Sequence, residues 1–271
     1  MENYTLTILG CGTMGTSMLL SILKSTFKPY PKKFICCTGD KESADALQER
    51  FGDKIETSYG ESNIDAVKRA DVIILGLKPY VCESVLDYVN RGLNGHQLII
   101  SLLAGWTIKR LSQYSSCIAR VMTNTPAKFG CGMAVVSFSD DALQYEHLVM
   151  EMLGTAGKAI KLPEKNMDAC TSLVGSGPAF CLLMLQAMAE GAVQMGIPYN
   201  VAKECAAKVM EGTAKMVMET GKHPEDLKVE VCTPGGTTIA GLLVMEDRGV
   251  RGAISRGVEK AAEVAASLGK K

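Results

Sequence analysis

The chain has 271 residues, 47% of them hydrophobic, enough core for one large domain or two ordinary ones. Its 29 basic and 29 acidic side chains cancel, so the basic stripe of a nucleic-acid-binding protein is missing and that class is set aside. Ten cysteines are scattered without a C-x-x-C pair, which argues against a zinc site or disulfide framework and reads them as small, mostly buried hydrophobes in a reducing compartment.

The N-terminus has no basic region followed by an apolar signal core, and Glu2 argues against a transit peptide. No uninterrupted apolar run reaches the roughly 18 residues of a spanning helix. A soluble, cytoplasmic protein without a membrane partner is expected. In chain order, YTLTIL (4–9) reads as a short strand and GCGTMG (10–15) as a glycine turn. Met14 to Phe27 follows as a helix, with Met14, Met18, Leu19, Ile22 and Leu23 on one side. KFICCT (33–38) is a second strand and 42–51 a second helix. ADVIILGLKP (70–79), QLIISLLAG (97–105), CIARVMTN (117–124) and GMAVVSF (132–138) continue the strands. Asp140 is expected to cap a helix ending at Leu153, and KAIKL closes the series. Near-continuous apolar strands separated by helices predict an α/β fold of Rossmann type, a mainly parallel sheet covered on both faces.

From Glu164 the pattern is helical throughout. LVGSGPAFCLLMLQAMAEGAVQMG places a glycine-rich corner before a very apolar helix, with Pro178 in its first turn. Val201–Thr220 is a second long helix closed by Gly221, and VCTPGGTTIAGLLVME opens a third. The predicted division is a dinucleotide-binding domain over 1–163 and an all-helical dimerisation and substrate domain over 164–271. The helices carry more Met, Leu, Ala and Val than one solvated face accommodates, which points to a homo-oligomer.

Gly10, Gly12 and Gly15 have the G-x-G-x-x-G spacing between a first strand and a helix. The first permits the turn, the second lets a diphosphate approach the backbone, and the third lets helix and strand pack closely. With Cys11, Thr13 and Met14 between them, they form the candidate cofactor loop. The second strand ends in Thr38-Gly39-Asp40-Lys41. A hydroxyl and a nearby cation suit a ribose 2′-phosphate and favour NADPH, whereas a register shift bringing Asp40 to the ribose would favour NADH. Leu77, Lys78 and Pro79, and then Ala104 and Gly105, follow strands at the sheet edge where such folds bind ligands. Lys78 is also readable as a solvated strand-end lysine.

Together these stretches resemble the pyrroline-5-carboxylate reductase family along essentially the whole chain. The likeness rests on ILGCGTMG (8–15), LGLKP (75–79), S-x-x-A-G (101–105), RVMTNTPA (120–127), GSGPAF (175–180) and above all TPGGTTIAGLLVME (233–246). It implies reduction of 1-pyrroline-5-carboxylate to L-proline with NADPH or NADH, a site at a dimer interface, and dimers assembled into larger rings, up to decamers. It also implies substrate binding by Ser176, Gly177, Pro178, Thr233, Gly235, Gly236, Thr237 and Thr238, with Thr238 as the hydrogen-bond donor to the imine nitrogen. From the residues alone, Thr237 and Thr238 are equally readable as helix caps, and Ser176–Pro178 as a helix entrance. Val174 replaces a serine found in many members, and Glu230 an asparagine found in some, so neither is given a role. Two other readings stand beside this one. One is a β-hydroxyacid-dehydrogenase-like reductase of a small oxo acid, for which Lys208 and Lys215 are the available proton donors. The other is a non-catalytic NADPH-binding regulator. His96, His147 and His223 read as surface residues, His223 shaping a turn beside Pro224. Arg120 and Asn124 read as organisers of loops.

Overall fold

The apolar runs become one eight-stranded sheet in the computed structural model, which describes residues 2–268. Its strands are β1 (Thr5–Leu9), β2 (Lys33–Thr38), β3 (Glu56–Tyr59), β4 (Val72–Leu75), β5 (Leu98–Ser101), β6 (Ile118–Met122), β7 (Gly132–Phe138) and β8 (Gly157–Lys161). Their spatial order is β3-β2-β1-β4-β5-β6-β7-β8, parallel except where β7 runs antiparallel to β6. The expected Rossmann-type α/β fold is therefore present. From β1 the chain moves one way to β2 and later returns to place β4 on the other side. That reversal opens a crevice at the carboxyl ends of β1 and β4.

The central strands are largely apolar because both faces are covered. Ile8, Ile74 and Ile100 point to one side and pack with Met18, Leu19 and Ile22 of α1 (Thr13–Leu23). Ile73, Leu75 and Ile99 point to the other, against α3 (Ser62–Lys68) and α4 (Cys82–Val89), reached through α2 (Lys41–Phe51) and β3. The sequence reading missed β3, α3 and α4. ETSY is a polar edge strand with no alternation to find, and the two helices have only 7 and 8 residues. Two short helices, α5 (Ile108–Leu111) and α6 (Glu146–Gly154), complete the layers. Asp140 does not cap α6. A 3-10 segment from Asp140 to Tyr145 intervenes, its N-cap is Ser139, and α6 starts only at Glu146.

Edge strand β3 is held by charge. Glu56 meets Arg69 at 2.5 Å and Lys33 at 2.5 Å, and the Arg69 hydrogen bond, with Lys33, holds its carboxyl down to about 2. A depressed folded-state pKa stabilises the fold above the unfolded value of about 4.3, and that contribution is lost as pH falls toward about 2. The side chain is 35% exposed, so solvent screening reduces it to on the order of 1 kcal/mol. Glu56→Gln is therefore expected to lower the unfolding free energy by about that amount at pH 7 and by almost nothing near pH 2. Denaturant titrations at pH 7, 5 and 3 check this, and an equal deficit at every pH rules the ion pair out as its source.

After β8 the described chain contains only helices: α7 (Met167–Cys170), α8 (Gly177–Gln194), α9 (Tyr199–Thr220), α10 (Pro224–Val231), α11 (Thr237–Asp247) and α12 (Val250–Leu268). Internal contacts divide the chain into one unit of residues 1–176 with the stretch from Ala261 onward, and another of Gly177–Lys260. In the second unit α8 packs along α9, yet only Ala189 of α8's 18 residues is buried, and α11 buries none. Leu183, Met195, Met218 and Val244 are all more than 60% exposed. The ten cysteines are unbridged, and half are buried rather than most. Cys131, Cys181 and Cys205 are exposed, the last two on α8 and α9.

Candidate active site

In the first unit the three loop glycines serve different ends. Gly10 has φ +95°, and its N–H donates to the Cys37 carbonyl at 3.1 Å. A Cβ there would lie 2.8 Å from Leu77 Cδ2, because the loops after β1 and β4 touch. A Cβ on Gly15 would overlap the Gly10 carbonyl oxygen. Gly12 is different: φ is −73°, and a Cβ would meet nothing within 4 Å. Nothing inside the chain asks for glycine at position 12, and a ligand lying on the loop would.

Beside this loop a cleft of about 310 Å³ is lined by Gly10, Thr38, Gly39, Asn63, Leu77 and Tyr88 among others. Thr38 donates its hydroxyl to the Asp40 carbonyl at 2.7 Å. The Asp40 carboxylate is committed to α2, accepting from Ser43 N at 2.8 Å and the Ser43 hydroxyl at 3.1 Å, and those bonds hold its pKa down. Lys41 is exposed at the start of the same helix. The sequence reading missed Asn63. Its Nδ2 donates to the Thr38 carbonyl at 2.9 Å, while its buried Oδ1 has no partner. A single asparagine in a short unrecognised helix carries no sequence signal. The unsatisfied acceptor beside the cleft is what marks it, and it fits a ligand N–H.

A second cleft, about 420 Å³, lies at the carboxyl ends of β4 and β5, lined by Pro79, Tyr80, Glu83, Ala104, Gly105, Trp106 and Arg110. Gly105 needs its glycine for φ +76°. Trp106, another residue missed from sequence, donates its indole N–H to the Pro79 carbonyl at 3.3 Å and so joins the two loops. Lys78 is exposed, its ammonium 5.9 Å from the Tyr80 ring centre. Arg120 and Asn124 organise structure. Arg120 is buried and pairs with Glu164 at 3.0 Å and Asp168 at 3.5 Å, while Asn124 accepts from Met133 N at 3.1 Å.

The stretch around Ser176 corrects the expected helix entrance. Met167–Gln194 is a continuous helix interrupted by a π turn over Thr171–Ser176, so Gly177 and Pro178 lie inside it. In the second unit, Gly235 (φ +68°) turns the chain into α11, and a Cβ on Gly236 would overlap the Thr233 hydroxyl. Gly236 is the N-cap and has no side chain to satisfy the first-turn N–H groups. Thr237 and Thr238 are the first helical residues and not its caps. The helix runs to Asp247. Thr238 is half-buried and its hydroxyl bonds to nothing in the described chain. The result is a positive helix end with free N–H donors and a free hydroxyl beside them.

Residues 164–268 match the family model for pyrroline-5-carboxylate reductase dimerisation, and residues 5–105 the model for NADP oxidoreductase, coenzyme F420-dependent. A pyrroline-5-carboxylate reductase of Kluyveromyces lactis is 49% identical, over the whole length of both chains. This chain belongs to the pyrroline-5-carboxylate reductase family. Among solved structures, the 1-pyrroline-5-carboxylate reductase of Streptococcus pyogenes is 27% identical and superposes with a TM-score of 0.85, covering 97% of this chain and 98% of that one. The Plasmodium falciparum pyrroline carboxylate reductase with NADP bound shares the fold at 24% identity and a TM-score of 0.85, covering 99% of each.

In this member of the pyrroline-5-carboxylate reductase family the lysines named for the oxo-acid reading have other partners. Lys208 and Lys215 both pair with Glu211 on an exposed face of α9, at 2.9 and 3.1 Å. All three histidines are exposed, and His223 caps α10 by accepting from Glu225 N at 3.2 Å. Glu230 pairs with Lys222 at 2.7 Å.

Proposed function

We propose that this chain reduces 1-pyrroline-5-carboxylate to L-proline, the last step of proline biosynthesis, with NADPH as the preferred hydride donor and NADH as the alternative. The full-length relation to the yeast reductase supports the reaction, and the free N-terminal turn of α11 beside Thr238 is the observation that carries the chemistry. Bound NADPH supplies the hydride. Gly10–Gly15 hold its diphosphate, Leu77–Pro79 and Ala104–Gly105 line the nicotinamide side, and Thr38, Lys41 and Asn63 face the adenosine end. With the Asp40 carboxylate accepting from Ser43 N and the Ser43 hydroxyl, its oxygens are taken up by the start of α2 rather than offered to ribose hydroxyls.

The substrate is a small cyclic imine with a carboxylate. The first-turn N–H groups of α11 and the Gly235–Gly236 backbone hold the carboxylate, with Thr233 shaping the loop, and Ser176, Gly177 and Pro178 also bind the substrate. Thr238 donates its hydroxyl to the imine nitrogen. That bond draws electron density from the neighbouring carbon, which accepts the hydride while the nitrogen becomes an amine carrying a proton. The test follows NADPH and NADH oxidation with 1-pyrroline-5-carboxylate beside a panel of small oxo acids. Reduction of an oxo acid without proline formation rejects the assignment.

The functional division is placed at 163/164, supported by the dimerisation match that begins at residue 164. The minimal active unit is a homodimer, with dimers joined into larger rings up to a decamer. The helical stretch Glu164–Gln194 is long and apolar enough to cross a membrane by length and composition alone. Its exposed Leu182 and Leu183 are assigned to the subunit interface, and the enzyme to the cytoplasm without membrane or nucleic-acid partners. Analytical ultracentrifugation at assay concentration is expected to show a dimer or larger species. A fully active monomer contradicts the shared-site reading.

A further inference from the structure

The π turn at Thr171–Ser176 has a local cause and a location that the fold alone does not require. Proline at 178 has no N–H to give an upstream carbonyl, and in α-geometry its ring would collide with the carbonyl of Val174. A π turn immediately before it widens the backbone and takes up an extra residue. The turn is anchored rather than loose. Ser172 and Val174 are buried, Val174 packs with Met122, Val135, Met167 and Cys170, and a Cβ on Gly175 would press on Met122 Sδ at 3.3 Å. The helix before it is fixed by the Arg120 pairs to Glu164 and Asp168, and Glu164 also accepts from Ile108 N at 2.7 Å. What the turn presents is its last residue, Ser176, half-buried and with a hydroxyl that bonds to nothing in the described chain.

A proline inside a long helix, a six-residue π turn held on a rigid wall, and a polar group left free at the end of that turn make one device. We infer that Pro178 is a positioning residue for the reductase: by forbidding an α-turn it holds the π turn that aims Ser176 at the substrate. This rests on the reaction proposed above. Conversion of the π turn to α-geometry would rotate Ser176 about the helix axis and turn its hydroxyl away from the substrate, while the Gly10–Gly15 loop stays as it was.

The test compares the full-length wild type with Pro178→Ala, Pro178→Ser and Ser176→Ala. Restoring an N–H inside a helix is expected to hold or raise the melting temperature, by about 2–4 °C. At the same time KM for 1-pyrroline-5-carboxylate is expected to rise about 10-fold in all three variants, with kcat within about threefold and NADPH affinity unchanged. Combining P178A with S176A should add little to either alone, because both remove the same contact. A melting temperature that falls, or a P178A whose KM stays within twofold of wild type, overturns the inference, as does full additivity. Wild-type inactivity on 1-pyrroline-5-carboxylate is a separate result and rejects the assigned reaction itself.

Discussion

Thr238→Ala is expected to lower kcat/KM for 1-pyrroline-5-carboxylate about 10- to 100-fold, equivalent to roughly 1.4–2.7 kcal/mol of transition-state stabilisation, with NADPH affinity nearly intact. The hydroxyl is half-buried, bonds to nothing in the described chain, and sits in the first turn of α11. A threonine serving as the N-cap would give up about 0.5–2 kcal/mol of stability when truncated. Gly236 holds the N-cap position here, so T238A should leave the melting temperature close to the parent's. Thr237→Ala perturbs the same helix start from an exposed side chain and is the control. It should be clearly the milder of the two. Steady-state kinetics placing T238A within twofold of the parent would remove Thr238 from catalysis. Imine activation would then rest on backbone N–H groups, water or the protonation state of the free substrate.

The second large effect is at the cofactor loop. Gly12→Val is expected to weaken NADPH binding by at least about 10-fold, or roughly 1.4 kcal/mol, in a protein that still folds. Gly12 has an ordinary φ of −73°, and a Cβ there meets no protein atom within 4 Å, so only a ligand on the loop collides with the new side chain. The cost to folding is limited to replacing glycine at the N-cap of α1, about 1 kcal/mol. Gly15→Ala is the opposing control. Its Cβ overlaps the Gly10 carbonyl oxygen where α1 packs on β1, so the fold should suffer first. Cofactor titration of folded G12V decides the matter, and unchanged NADPH affinity assigns the glycine to the fold alone.

The two glycines illustrate how much of the site was legible in the sequence. G-x-G-x-x-G gave Gly10 to the turn, Gly12 to a ligand and Gly15 to helix–strand packing; the positive φ of Gly10 and the close approach at Gly15 agree, and the space over Gly12 is open. Thr38 and Asp40 were likewise visible as alternatives, and the structure adds that the Asp40 carboxylate caps α2 through Ser43. Asn63 and Trp106 were invisible. Each acts through a bond to a residue 25 or 27 positions away, and neither sits in a motif. The corner at GSGP was misread for a related reason. Glycine and proline usually mark helix ends, but here the flanking turns pack on β6 and β7, and the helix continues through a π turn.

By itself the sequence determined the class of fold, the places of the main strands, the glycine turn after β1 and the family, because these follow from local patterns: apolar runs, glycine spacing and long quoted motifs. Tertiary structure decided which candidates are free to act. Asn63 is tied to Thr38 and Trp106 to Pro79, 25 and 27 positions away, and Arg120 is taken up by Glu164, 44 positions away. The physical reason is that a side chain's availability depends on what satisfies its hydrogen bonds and charge, and those partners are chosen by packing rather than by adjacency in the chain.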